Sequence, residues 1–465
     1  MDNKNQYDKT SPFYFDGSMT ESVLRRYVSR AVTHQMLCVN DPLFEEDLRM
    51  VQNVGAKFIG RAAHFSWMGN LSEQQVEEHY REAVKNADLV HQADPEIILQ
   101  AGVFEIIYRG TVESQKIPEW VFADFDLPVE DRHFDWEKMC FPEDFAFQDA
   151  YMDGWGSRDY WNKEASWPFI GSIETQMYFY YCICRYIDAG FEAVHLGQAE
   201  KDTGGQWEFY SGWDRVTTLA RAYAKKHARR GIVLFDCHTV FGSKCMKIGD
   251  RLLIDVVGAG MVPIDSVKED GALKCKLCDV TENDCTWIGR SEGGEHPLGF
   301  SIDNCLTIIE FDNYGRPGPV GEYNENYSPW GYDDITWFAT QPEWYRNEFL
   351  LYCDQMLKST RLDKNGNQVY FLQPQLKRIL CCDGDAPVCR YQPGNKFNQA
   401  AFEQYTEYEG VRTEKQSDGS YILASAHEYR ANMQSDACPN GFNQENVIRN
   451  IFLNAENGKT NKGEK

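Results

Sequence analysis

One pattern constrains this chain more than any other. A short apolar run ends in a polar cluster, a helical segment or a long excursion follows, and another apolar run begins. Eight such runs are legible: "SPFYFDGSM", "AKFIGRAAHF", "EIILQAGVFEI", "EAVHLGQ", "IVLFDCH", "RLLIDVVG", "LTIIEFD" and "QVYFLQP". Strands buried on both faces read as continuous apolar runs, and helices between them cover a parallel sheet. Eight units within residues 1–375 predict an α/β fold, a (β/α)8 barrel of TIM type. A doubly wound open sheet is the alternative, disfavoured because no Gly-rich phosphate turn follows an early strand.

The helical segments carry their own punctuation. Thr20 is a plausible N-cap for "ESVLRRYVSRAVTHQM", and Ser72 with Gln75 forms a capping box ahead of "EQQVEEHYREAVKNADLVHQA". Gly55, Gly190 and Gly231 close later helices. Residues 112–170, rich in Trp, Asp and Pro, form an insertion too long for a simple connector. Residues 376–455 read as an irregular C-terminal extension packing on the barrel, with one late helix at "NQENVIRNIF", and 456–465 as a disordered tail.

Composition excludes some functions. The chain is 42% hydrophobic and 14% aromatic, enough to bury a large core. A net charge of −24 makes it a poor partner for nucleic acid or an acidic membrane surface, which need clustered Lys and Arg. The N-terminus is polar, and "MYFYYCICRYI" is too short to span a bilayer. With 15 cysteines and no export signal, reduced thiols and a cytoplasmic location are expected.

A barrel presents its chemistry at the C-terminal ends of its strands. Residues two apart on a strand share a face. By that parity Gln198 pairs with Glu200, Asp236 with His238, and Glu310 with Asp312, each pair at the end of its run. A Glu following "LTII" directly is costly on a buried strand unless paired or functional. Glu105 ends the third run, and Arg61 and His64 in the second could orient a ligand or form a structural ion pair. His195, of opposite parity, reads as a packed histidine. Trp67 and Trp330 follow the second and seventh runs, where aromatic faces suit sugar rings.

Two carboxylates facing across a barrel mouth suit glycoside hydrolysis, which needs no cofactor or metal. In strand plan and in these two glutamates the chain resembles the TIM-barrel retaining glycoside hydrolases. That resemblance implies Glu200, ending the fourth strand, as acid/base and Glu310, ending the seventh, as nucleophile, with a carbohydrate substrate. It departs at Ala199, where the clan places Asn; Gln198 would have to make the 2-hydroxyl contact from a different geometry. A metal-dependent sugar isomerase or lyase remains open, since Glu200, Asp236, His238, Glu310 and Asp312 include enough hard ligands for Mg or Mn. So does a barrel that binds carbohydrate without turning it over.

Other motifs are weaker. "GRSEG" matches G-x-S-x-G but is not followed by a helix start. Cys275 and Cys278 make half a zinc site, with Cys285 nearby, though free thiols are the simpler reading.

Overall fold

A computed structural model describes residues 8–147, 158–160, 163–238, 246–260, 263–269, 272–277, 292–310, 338, 343–357, 369–371, 376–378, 388–391, 412–415, 421–424 and 429–456. Its centre is one parallel sheet of eight strands: β1 Ala31–Thr33, β2 Phe58–Ala63, β3 Ile98–Gly102, β4 Ala193–His195, β5 Leu234–His238, β6 Val256–Gly260, β7 Leu306–Glu310 and β8 Val369–Phe371. Neighbours in the sheet are neighbours in chain order throughout. A doubly wound sheet reverses its strand order at a switch point, and this sheet has none. The sheet curls: His34, one residue past β1, bridges Lys377 in parallel, beyond the end of β8. The α/β class expected from the alternating runs is what the chain adopts.

Seven of the eight strands fall within or beside the expected runs. The first does not. "SPFYFDGSM" forms no strand, and β1 instead lies inside the segment expected to be one helix. That helix, α1, spans only Glu21–Val28, with Thr20 accepting from Val23 N and Ser29 as C-cap. Helices α2 (Phe44–Val54), α3 (Glu73–Ala93), α4 (Ile173–Asp188) and α5 (Tyr210–His227) follow, each leading into the next strand or excursion. Ser72 and Gln75 form the expected reciprocal capping box on α3. Helix α4 carries "MYFYYCICRYI" and is buried almost all round, covering the sheet rather than meeting water. Among the described residues no helix is long and apolar enough to cross a membrane.

The N-terminal end of the sheet is tied by charge. Glu192, just before β4, is fully buried and takes Arg230 and Arg229 at 2.6 and 2.8 Å. Burial alone would raise its carboxyl, but the two guanidiniums outweigh it and bring it down to about 2. Helix α6 (Glu343–Leu357), ahead of β8, touches the late helix α7 (Glu445–Glu456), and α7 packs on α2. A second buried network joins this late segment to the loop after β1. Asp47 accepts from His34 at 2.9 Å and from Arg430, while Asp41 takes Arg430 at 3.0 Å and Lys377 at 3.3 Å.

Candidate functional site

The C-terminal ends of β2 to β5 converge on a buried polar cluster. It begins with Gln100, a polar residue inside the apolar run of β3. Its side-chain amide donates to Asp236 Oδ1 at 2.5 Å, and its carbonyl accepts from the backbone N–H of Arg61 at 3.2 Å. Asp236 accepts from His195 Nδ1 through its other oxygen, at 2.9 Å. Arg61 Nη2 then lies 3.2 Å from His238 Nε2 and 3.5 Å from His195 Nε2. A guanidinium can only donate, so each imidazole turns Nε2 to it as an acceptor. All five side chains are buried.

Backbone distortion places Arg61. Between Ile59 and Ala63, β2 advances four residues while β3 advances two, from Leu99 to Ala101. Arg61 sits in this bulge with φ +55°, a left-handed conformation unfavourable to a branchless but bulky side chain. The Gln100 carbonyl stabilises it there. Outliers of this kind concentrate at functional sites. Phe104 fills the space above, edge-on to His64 and His195 with ring centroids at 5.0 and 5.4 Å, and beneath the Arg61 guanidinium.

A second group lies past β4. Glu105 accepts from Gln198 N at 3.0 Å and packs on Gly197, where a Cβ would come 1.6 Å from its oxygen. Gly197 has φ +58°, so both the turn and the close approach require glycine here. Ala199 O takes the indole N–H of Trp213 at 2.9 Å. Glu200 follows, 7% exposed, with the Tyr210 hydroxyl 3.4 Å from Oε1. A 3-10 turn over Lys201–Thr203 then places Lys201 over the Trp167 ring at 5.3 Å. Burial pulls the Lys201 ammonium down to about 7 against the opposing pull of Glu105, Asp202 and Glu200. Asp202 is fully buried, and burial together with the Glu105 charge raises its carboxyl well above the usual range.

The expected site residues therefore divide. Arg61, Asp236 and His238 come together in one cluster, and Glu105, Gln198 and Glu200 in the adjoining one. His64 lies beside the first, with Gln35 Nε2 at 3.4 Å, and Trp67 leans half-buried on Phe104. Glu200 does not end a strand. β4 stops at His195, and 197–200 form a turn, so the parity that paired Gln198 with Glu200 does not apply. His195, expected as a packed histidine, instead stands in register with Asp236 and joins the cluster through it. Glu310 ends β7 opposite Gly260, and its side chain lies outside the described residues, as do Asp312 and Trp330 entirely. Cys278 and Cys285 also lie outside them, and Cys275 is described only as backbone in a strand over 272–277. The eight cysteines whose side chains are described are all free. Gln100, Lys201 and Asp202 were missed, although a Gln inside an apolar run is the kind of buried polar group that needs a partner.

Among the described residues, one group gathers metal-type ligand atoms within 4.8 Å of one another: His34, Asp41 and Asp47. Lys377 and Arg430 already neutralise its carboxylates, which suits a structural ion network better than a cation site.

No family model and no curated protein matches the sequence. Among solved structures the chain is similar in part to the debranching enzyme of Nostoc punctiforme. The acarbose-soaked crystal shares 15% identity over 50% of this chain and 53% of that one, with a TM-score of 0.30. A second structure of that enzyme gives 14% identity, 47% and 49% coverage and a TM-score of 0.26. Its native form gives 16% identity, 47% and 49% coverage and a TM-score of 0.25. The chain thus spans about half the length of these structures, and the likeness is too slight to place it in a family.

Proposed function

We propose that the protein is a glycoside hydrolase built on a (β/α)8 barrel, with Glu310 as nucleophile and Glu200 as acid/base. The observation that carries this is the register of the sheet. His195 pairs with Asp236, His238 with Gly258, and Gly260 with Glu310, so the backbone of Glu310 holds the strand-end register position in line with that row. Glu200 lies in the turn past the end of β4, next to the Tyr210 hydroxyl. A carboxylate at that strand end and a second on the turn after β4 would supply the pair that acid–base cleavage of a glycosidic bond requires. Asp236 and His238 are engaged by Gln100, His195 and Arg61, an arrangement that supports acid–base chemistry over a cation-centred sugar isomerase.

The test is a panel of aryl α- and β-glycosides assayed with wild type, Glu200→Gln, Glu310→Gln and Glu310→Gly. Each Gln variant is expected to lose about a hundredfold or more in kcat on every hydrolysed substrate. Azide should rescue Glu310→Gly by forming a glycosyl azide. Full activity of Glu310→Gln would remove Glu310 from the mechanism. Loss of wild-type activity on chelation would instead favour the metal-dependent alternative.

A further inference from the structure

Trp207 is 74% exposed, the most exposed large apolar side chain among the described residues. It is not on a loose loop. It opens a 3-10 turn, Trp207–Phe209, that touches the Lys201–Thr203 turn carrying the buried charges. Three residues per turn set neighbouring side chains about 120° apart, so one can anchor while another faces out. Phe209 is the anchor, with ring centroids 4.9 Å from Phe169 and 5.9 Å from Phe145. Gln206 adds a hydrogen bond from Nε2 to Ala146 O at 2.5 Å. Tyr210, the next residue after the turn, reaches back to Glu200. Glu200 and Trp207 therefore lie on one loop, closed on itself by the Tyr210–Glu200 contact and braced from beneath by aromatic rings.

We propose that Trp207 is an outer sugar platform: a hexopyranose ring two or more units from the cleaved bond stacks on its indole. An exposed indole carried on a turn that its neighbour Phe209 anchors offers a large apolar face, with only two side-chain torsions to order on binding. Glu208 beside it is exposed and the whole chain carries −24, which disfavours an anionic glycan and selects a neutral one. The proposal rests on the glycoside hydrolase assignment for its location, but its binding step can be measured separately.

The experiment uses α- and β-linked gluco-oligosaccharides of increasing length, with Trp207→Ala and Trp207→Phe. Intrinsic fluorescence reports the wild-type response at the indole, titration calorimetry reports affinity in all three proteins, and reducing-end release reports turnover. Wild type should show quenching that strengthens with chain length. Trp207→Ala should lose about tenfold in affinity for the long probes, with a smaller loss for shorter ones, and Trp207→Phe should fall between. Length-dependent affinity that is lost in Trp207→Ala, without any turnover in wild type, would keep the platform and sink the hydrolase assignment. Turnover with unchanged length dependence in Trp207→Ala would do the reverse. Absence of quenching by every probe would overturn the platform.

Discussion

Gln100 on β3 and Asp236 on β5 are joined by a 2.5 Å hydrogen bond across β4, which lies between their strands. A flat sheet holds second-neighbour strands about 9.5 Å apart, too far for these short side chains to span easily. Curling brings them together, and His195 of β4 completes the bridge from the other Asp236 oxygen. The same Gln100 carbonyl holds the left-handed Arg61 backbone. Four strands are thus locked by one carboxylate and one amide.

Asp236→Asn tests this lock. Asn offers one oxygen and one NH2 where Asp offered two acceptors, and both existing partners are donors. One donor is then left facing another inside a buried site. The variant should lose about 1–3 kcal/mol of stability in urea unfolding. Gln100→Leu with Asp236→Asn should cost less than the sum of the two changes, because they share one interaction. Strict additivity would show that the contact carries no stability.

Gly197→Ala tests the turn past β4. The new methyl would meet Glu105 Oε2 at 1.6 Å, at a φ of +58° that alanine seldom adopts. Glu105 must move, and the Gln198 N–H loses its acceptor. A stability loss of about 1–3 kcal/mol is expected, together with loss of activity on any substrate the wild type hydrolyses. Wild-type melting and turnover would show that this turn does not position the site.

Glu192 should set part of the acid limb of stability. Its carboxyl goes from an ordinary 4.5 down to about 2 on folding, so between those values the unfolded chain binds the extra proton. The stabilisation is complete above about pH 4.5 and is lost as pH falls towards about 2, amounting to roughly 3 kcal/mol. Urea titrations across that window should show the fall in wild type. Glu192→Gln should show a shallower one and be less stable at neutral pH, with Arg230 left buried without its charge partner. Equal slopes would reject the assignment.

How much of this was legible in the sequence depended on distance along the chain. The runs around β2, β3, β5 and β7 were readable because a strand covered on both faces is apolar throughout. β1 was not. Three residues, "AVT", follow an amphipathic helix with no Gly or Pro between them, and a helical period runs through the joint unnoticed. The parity argument held for Asp236 and His238, which lie within β5. It failed for Gln198 and Glu200 because Gly197 turns the chain after β4 has ended. The Gln100–Asp236–His195 cluster spans 136 residues and depends on sheet curvature, which no local pattern encodes. Gln100 was visible as an oddity, but its partner was not.

Lys201 supplies the last test. Burial holds its ammonium at about 7 rather than 10.5, although Glu105, Asp202 and Glu200 pull the other way. Between those two values the unfolded chain carries a proton on this lysine and the folded chain does not. Unfolding free energy should therefore rise with pH across that window, by up to about 1.4 kcal/mol per pH unit from this one group. Below about 7 both states are charged and the slope vanishes. Lys201→Met removes this titration, so the stability of wild type minus that of the variant should grow with pH between about pH 7.5 and 9.5; the buried thiols, which burial raises, lower stability in both proteins alike and cancel in the difference. The measurement is urea unfolding of both proteins at matched ionic strength through that range. Parallel curves would mean that Lys201 keeps its proton in the folded protein, and that the carboxylates around it outweigh its burial.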